Sequence, residues 1–209
     1  PVVSADTPPS IAVIDVGTNS SLFTNAIATE VCVISSYKCP NGKLFMEGPG
    51  AANIAVTSDK AINHGTQMLS VVTMVNPNAK IIPIRIAGIT PNGNLGLYSL
   101  DDVKAALDWV VTNRIKYNIA VVSLSQGRIF ANCKVPTGMA AQIATLKAAQ
   151  VPVITAVGNN ADRTTVMAPA CLTDTVAVGA TDNPEPGVQG IAYDVKAIPY
   201  IARYSNGAQ

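Results

Sequence analysis

Six short runs rich in Val and Ile, separated by stretches with helical apolar spacing, constrain this chain more than any other feature. The runs cover residues 11–14, 30–34, 80–86, 119–124, 151–157 and 175–178. They are mostly apolar throughout rather than alternating, as strands buried on both faces are. Residues 64–75 set Met68, Leu69, Val72 and Val75 along one helical face. Residues 100–115 turn Val103, Ala106, Leu107, Val110 and Val111 inward behind Ser99, a natural N-cap. A third helical stretch, 138–149, carries Ile143, Leu146 and Lys147. Strands separated by helices of this length form right-handed βαβ units and a parallel sheet. The expected fold is therefore α/β, a mostly parallel sheet covered by helices on both faces.

At 209 residues, with no internal repeat and no second boundary, the whole span 1–209 reads as one domain with a large core. Two stretches break the pattern. Residues 39–59 are rich in Gly, Pro and Asn and read as irregular. Pro184-Glu185-Pro186-Gly187 opens a surface loop, after which 193–205 looks strand-like.

Composition narrows the partners. Apolar residues make up 48% of the chain, which excludes disorder, and charged residues only 13%, against roughly 25% in ordinary soluble domains. A net charge of +1 offers no electrostatic grip on nucleic acid or an anionic membrane. No apolar run reaches the roughly 18 residues that a membrane-crossing helix needs. The opening Pro1-Val2-Val3-Ser4 has neither an initiator Met nor a signal peptide, so it reads as a processed or clipped start. Asp101, Asp102 and Asp108 read as a solvated helix face.

The four cysteines, Cys32, Cys39, Cys133 and Cys171, contain no CxxC pair, and with one His in the chain a zinc site is not expected. Three pairings are open; 32–39 with 133–171 is favoured over the others and weighed against four reduced thiols. Bridges and low charge lean toward an extracytoplasmic or secreted protein.

Three residues carry candidate chemistry. Asp15 closes the run Ile11-Ala12-Val13-Ile14 and precedes Val16-Gly17. His64, the sole histidine, stands in Asn63-His64-Gly65-Thr66 at the head of a helical stretch. Asn159 follows Val157-Gly158 at the end of another strand-like run. A buried carboxylate can fix the tautomer of an imidazole, and the imidazole can take a proton from a serine hydroxyl. A side-chain amide can donate to the oxyanion that follows. Gly65 would let the backbone pass close, and Thr66 would cap the helix. Ser125-Gln126-Gly127, beyond the strand at 119–124, and Asn94-Leu95-Gly96 could hold an extended peptide by backbone pairing. Ser125 lacks the Gly-x-Ser-x-Gly setting of a nucleophile elbow, so its expected role is that of substrate-strand backbone.

In chain order these segments resemble the subtilisin-like serine protease family. Ile11-Ala12-Val13-Ile14-Asp15-Val16-Gly17 is similar to its aspartate motif and Asn63-His64-Gly65-Thr66-Gln67-Met68 to its His-Gly-Thr motif. Val122-Ser123-Leu124-Ser125-Gln126-Gly127 is similar to the strand that lines its specificity pocket. Val157-Gly158-Asn159-Asn160 is similar to its oxyanion segment. Ala168-Pro169-Ala170-Cys171, Val176-Ala177-Val178-Gly179-Ala180 and Tyr204-Ser205-Asn206 resemble the segments that follow. The resemblance implies a serine endopeptidase in which Asp15 orients His64 and Asn159 holds the oxyanion. It implies a polypeptide substrate, a propeptide partner and a monomer. It requires no cofactor for the chemistry; structural calcium is common in the family, but no Asp-rich loop here identifies a site, so no metal ligand is expected.

The chain departs from the pattern in places. Val16 stands where the family usually has Thr or Ser, and Gln67 where it usually has His. The separation of 49 residues between Asp15 and His64 is long for compact members of the family and implies an inserted loop at 32–59. No Gly-Thr-Ser-x-Ala motif occurs, so the span reads as a catalytic domain that stops before its nucleophile, or else as an inactive relative serving as a peptide-binding module. A rival from another class is the actin-like ATPase and exopolyphosphatase superfamily, whose first phosphate motif Ile14-Asp15-Val16-Gly17-Thr18-Asn19-Ser20 also resembles. No second phosphate loop of the Asp-Gly-Gly type accompanies it.

Overall fold

The computed structural model describes residues 8–54, 62–88, 90, 92, 96, 98–162 and 164–180. In chain order the main elements are β1 (Ser10–Asp15), β2 (Val31–Val33), β3 (Phe45–Glu47), α1 (His64–Val75), β4 (Lys80–Arg85), α2 (Leu100–Asn113), β5 (Ile119–Leu124), α3 (Met139–Ala148), β6 (Val153–Ala156) and β7 (Val176–Val178). The strands form one sheet in the order β3-β2-β4-β1-β5-β6-β7. Every pairing is parallel except that of β2 with β3.

β1 lies at the reversal point of this order. The chain builds outward and back on one side, with β4 as β1's neighbour, then crosses to β5 and continues away on the other. Crevices of open α/β sheets form at the carboxyl ends of strands at such a reversal. Asp15, the last residue of β1, is placed there by topology alone.

The two faces of β1 divide its side chains by period two. Ala12 and Ile14 enter the main core with Val103, Ala106, Leu107 and Val110 of α2 and Ile143 and Leu146 of α3. Ile11 and Val13 pack instead with Leu69, Met68 and Val72 of α1 and Ile81 of β4. Helices therefore cover both faces, and the odd-numbered residues of β1, Asp15 among them, share the α1 side.

Four local expectations are corrected. First, β3 falls inside the stretch read as irregular. Its three residues are held by Glu47, which accepts from Nε1 of Trp109 at 3.0 Å and the Tyr117 hydroxyl at 2.6 Å, a tertiary anchor that no local periodicity encodes. Second, Asp102 is not on a solvated face: it is 2% exposed. Its Oδ2 accepts from the Ser99 backbone N–H at 2.7 Å while Ser99 Oγ accepts from the Asp102 N–H, a reciprocal capping box at the head of α2. Its Oδ1 takes the Ser35 N–H at 2.6 Å, tying the end of β2 to the helix. Asp101 is exposed, and Asp108 is half-buried and paired with Lys104 at 2.9 Å. Third, Val75 is 81% exposed, as is its neighbour Met74 at 80%, so the last turn of α1 lies outside the core that Leu69 enters. Fourth, Thr66 does not cap α1; its Oγ1 accepts the Asn19 N–H at 2.9 Å across the turn that follows β1. The strand-like stretch 193–205 lies outside the described residues.

Both disulfides join the favoured partners, Cys32 with Cys39 and Cys133 with Cys171. They close loops of very different length, with sequence separations of 7 and 38. By loop-closure entropy the long bridge should contribute about 4 kcal/mol and the short one about 2 kcal/mol. Urea unfolding should therefore place Cys133→Ser/Cys171→Ser below Cys32→Ser/Cys39→Ser in stability. The reverse order would show that native-state packing outweighs chain entropy at these bridges.

Candidate active site

The reach of Asp15 is set by its strand position and by a glycine. Its carboxylate is 3% exposed on the α1 face, and the first residue of α1 is His64. A Cβ on Gly65 would lie 2.1 Å from the Gly17 carbonyl oxygen and 3.2 Å from Cβ of Asp15. Only glycine lets the first turn of α1 sit down on the end of β1. Gly17 has φ +129, which L side chains rarely adopt, and turns the chain so that Thr18 N–H donates to the Ala52 carbonyl at 2.9 Å.

With the backbones seated, Nδ1 of His64 lies 2.9 Å from both Oδ1 and Oδ2 of Asp15. Oδ1 also accepts the Val16 N–H at 2.7 Å and Nε2 of Gln126 at 3.1 Å. A carboxylate accepts only, so the Nδ1 proton points at Asp15 and the lone pair is left on Nε2. The hydrogen bond that His64 donates to Asp15 raises the His64 pKa above its ordinary value, partly opposed by burial. The ring stays 35% exposed.

His64 opens into a cleft of about 330 Å³ lined also by Val16, Tyr98, Ser125, Gly127 and Asn159. Gly158 has φ +114 and turns the chain out of the end of β6, leaving Asn159 exposed at the rim. Gly127 is fixed by packing: a Cβ there would lie 2.4 Å from the Ala168 carbonyl oxygen. Arg128 and Ala168 exchange backbone hydrogen bonds of 3.0 and 2.8 Å just beyond it.

The structure thus brings Asp15, His64, Asn159, Ser125, Gln126 and Gly127 to one crevice. Of the segment 94–96, Asn94 and Leu95 lie outside the described residues. Gly96 donates its N–H to the Gly88 carbonyl at 2.8 Å. Two contributors were missed in the sequence. The Tyr98 hydroxyl donates to the Gly127 carbonyl at 3.0 Å and accepts the Gly127 N–H at 3.1 Å, and burial pushes its pKa up so that it stays protonated. The Gln126 side chain reaches the Asp15–His64 pair, where only its backbone had been expected to act. A tyrosine two residues before a helix and a glutamine after a strand carry no local signal for such contacts.

A larger hollow of about 490 Å³ surrounds Glu30. Its carboxylate accepts from the Ser20 hydroxyl and the backbone N–H groups of Gly50 and Ala52, bonds that tie the loop at 50–52 to the end of the segment before β2. Among the described residues no cluster of three His, Cys, Asp or Glu side chains could hold a metal ion.

The family model of the subtilases matches residues 7–209. The chain belongs to the subtilase family. Among solved structures, a mutant of the protease domain of PatA matches with a TM-score of 0.64 at 14% identity, over 97% of this chain and 64% of that one. Sphericase matches at 0.63 and 17% identity, over 96% and 60%. A protease from Pseudoalteromonas arctica matches at 0.63 and 20% identity, over 84% and 58%. At these identities the likeness is one of fold, and this subtilase chain spans less than two thirds of each of those proteins. No curated protein matches it. The phosphate-loop alternative is set aside by the family and by the turn itself, where Thr18 and Asn19 donate their N–H groups to Ala52 and Thr66.

A raised folded-state pKa stabilises the fold fully below the ordinary histidine value near 6.5. That contribution disappears as pH climbs through the raised value. Asp15→Asn removes the partner, so the difference in Tm between parent and variant should be widest in acid and narrow as pH rises. Melting curves across the histidine range measure it; a difference that does not vary with pH would contradict the pairing. Gly65→Ala should cost about 1–3 kcal/mol by overpacking, read by urea unfolding.

Proposed function

We propose that this subtilase chain is the greater part of the catalytic domain of a serine endopeptidase whose nucleophilic serine lies in sequence beyond residue 209. The observation that carries the reading is the 2.9 Å contact of His64 Nδ1 with the buried Asp15 carboxylate, in a cleft that also holds Asn159. His64 would take the serine proton at Nε2 as general base and return it to the leaving amine as general acid. Asp15 holds the Nδ1–H tautomer and stabilises the imidazolium while the tetrahedral intermediate exists. The Asn159 amide, at the exposed rim, donates to the developing oxyanion.

The substrate is an extended polypeptide lying along the backbone of Ser125, Gln126 and Gly127 and of residues 94–96. Gly127 has both backbone polar groups on the Tyr98 hydroxyl, so a substrate strand pairs there by displacing that hydroxyl. We further propose a single monomeric domain. Two disulfides support an extracytoplasmic place of work.

The test is a longer chain from the same reading frame that includes a Gly-Thr-Ser motif. It should cleave a denatured protein, and His64→Ala should slow that cleavage by about 10⁶-fold. The 209 residues alone should cleave no faster than their Asp15→Ala control. Cleavage by the 209 residues that depends on Asp15 and His64 would overturn the assignment of the nucleophile. A reading frame without the motif would point to a peptide-binding relative instead.

Because the base must be neutral, kcat/KM in the longer chain should rise with pH through a midpoint above the ordinary histidine value near 6.5. Asn159→Ala should lower kcat by about 10²–10³ with KM little changed, a range taken from subtilisin, a member of this family. A fall in KM affinity without loss of kcat would remove Asn159 from the oxyanion role.

A further inference from the structure

Gln126 is the one side chain, among the described residues, that reaches both members of the Asp15–His64 pair. Its Nε2 lies 3.1 Å from Oδ1 of Asp15 and 3.2 Å from Nδ1 of His64. Nδ1 already directs its proton at Asp15, so it has no lone pair for a second donor, and the amide proton goes to Oδ1. The opposite amide orientation would set two acceptor oxygens 3.1 Å apart with no proton between them. The partners therefore dictate which way the amide faces.

We propose that Gln126 is a positioning residue of the Asp15–His64 pair, holding the carboxylate through Oδ1 and weakening its hold on a proton of the ring. The catalytic meaning of this role rests on the protease reading, but the contact itself is testable without turnover.

Two electrostatic effects act in the same direction. A donor on Oδ1 draws off negative charge that would otherwise stabilise the imidazolium. The positive end of the amide dipole also stands beside Nδ1. Both favour the neutral ring, which is the form that accepts a proton.

The other groups facing the pair do not supply this effect. Tyr98, preceding α2, is a protonated phenol bonded to Gly127. Asn159, beyond β6, and Met167 are uncharged. Arg85 of β4 is the register partner of Asp15, but it donates to the carbonyls of Ala87 at 2.7 Å and Asn53 at 2.6 Å. Asp15 is thus the anion at His64, and Gln126 the neutral donor set against it. Packing does not explain the side chain either, because Gly127 already secures this segment against Met167 and Ala168.

His64 is the only histidine of the chain, so its ring proton resonances need no assignment. NMR titration of the 209-residue chain reads the pair directly. Gln126→Met and Gln126→Leu differ in shape but both lack the amide; each should move the midpoint upward by about half a pH unit. In an Asp15→Asn background the same substitutions should move it markedly less, because the amide acts through the carboxylate.

A midpoint unchanged to within about 0.1 unit, or lowered, in both variants would overturn the proposal. Such a result is expected if the side chain serves only substrate or packing. Circular dichroism melting identifies a variant that fails to fold, in which case the other carries the test; unfolding of both would make the amide a packing requirement and overturn the proposal as well. Absence of cleavage by the longer chain would defeat the protease reading and leave these titrations untouched, so the two failures are distinct.

Discussion

One hydrogen-bonded contact, Nδ1 of His64 with the carboxylate of Asp15, organises the crevice, and it depends on strand parity. Side chains of β1 alternate between two cores, and the last residue falls on the side that α1 covers. A register slip of one residue would send the carboxylate into the apolar layer under α2, where an unpaired anion is very costly. The apolar residues of β1 thus do more than fill space. By fixing which way Ala12 and Val13 face, they decide which way Asp15 faces.

The sheet and helices were legible because burial on both faces leaves a strong signal. The observed α1 and β5 coincide with the stretches expected at 64–75 and 119–124, and the other strands and helices expected within the described residues differ only at their ends. β3 was hidden because Phe45 and Glu47 are exposed and its anchor, Glu47, reaches to Trp109. Asp102 misled for the opposite reason: a charged side chain at the third helical position reads as solvated, while the capping box and Ser35 hold it inside.

At the site, residue types in motifs were legible and contacts between distant segments were not. Asp15, His64 and Asn159 announce themselves through their glycine neighbours and strand ends. Gln126 lies 111 positions from Asp15, and nothing in Ser125-Gln126-Gly127 says that its amide turns toward a carboxylate rather than toward solvent. Tyr98 engages Gly127 across 29 positions. Such pairings arise only when the crossover from β4 to β5 brings two strand ends side by side.

The bridge between Cys133 and Cys171 has an address as well as a loop length. Cys133 lies five residues after Arg128 and Cys171 three after Ala168, the two residues that exchange backbone hydrogen bonds beside Gly127. The covalent link therefore rivets together the two segments that form one bank of the crevice. A thiol-rich environment that opened it would loosen that bank first, while the Asp15–His64 contact, seated on β1 and α1, would remain standing. The redox state of the surroundings is in this way coupled to the bank that carries Gly127.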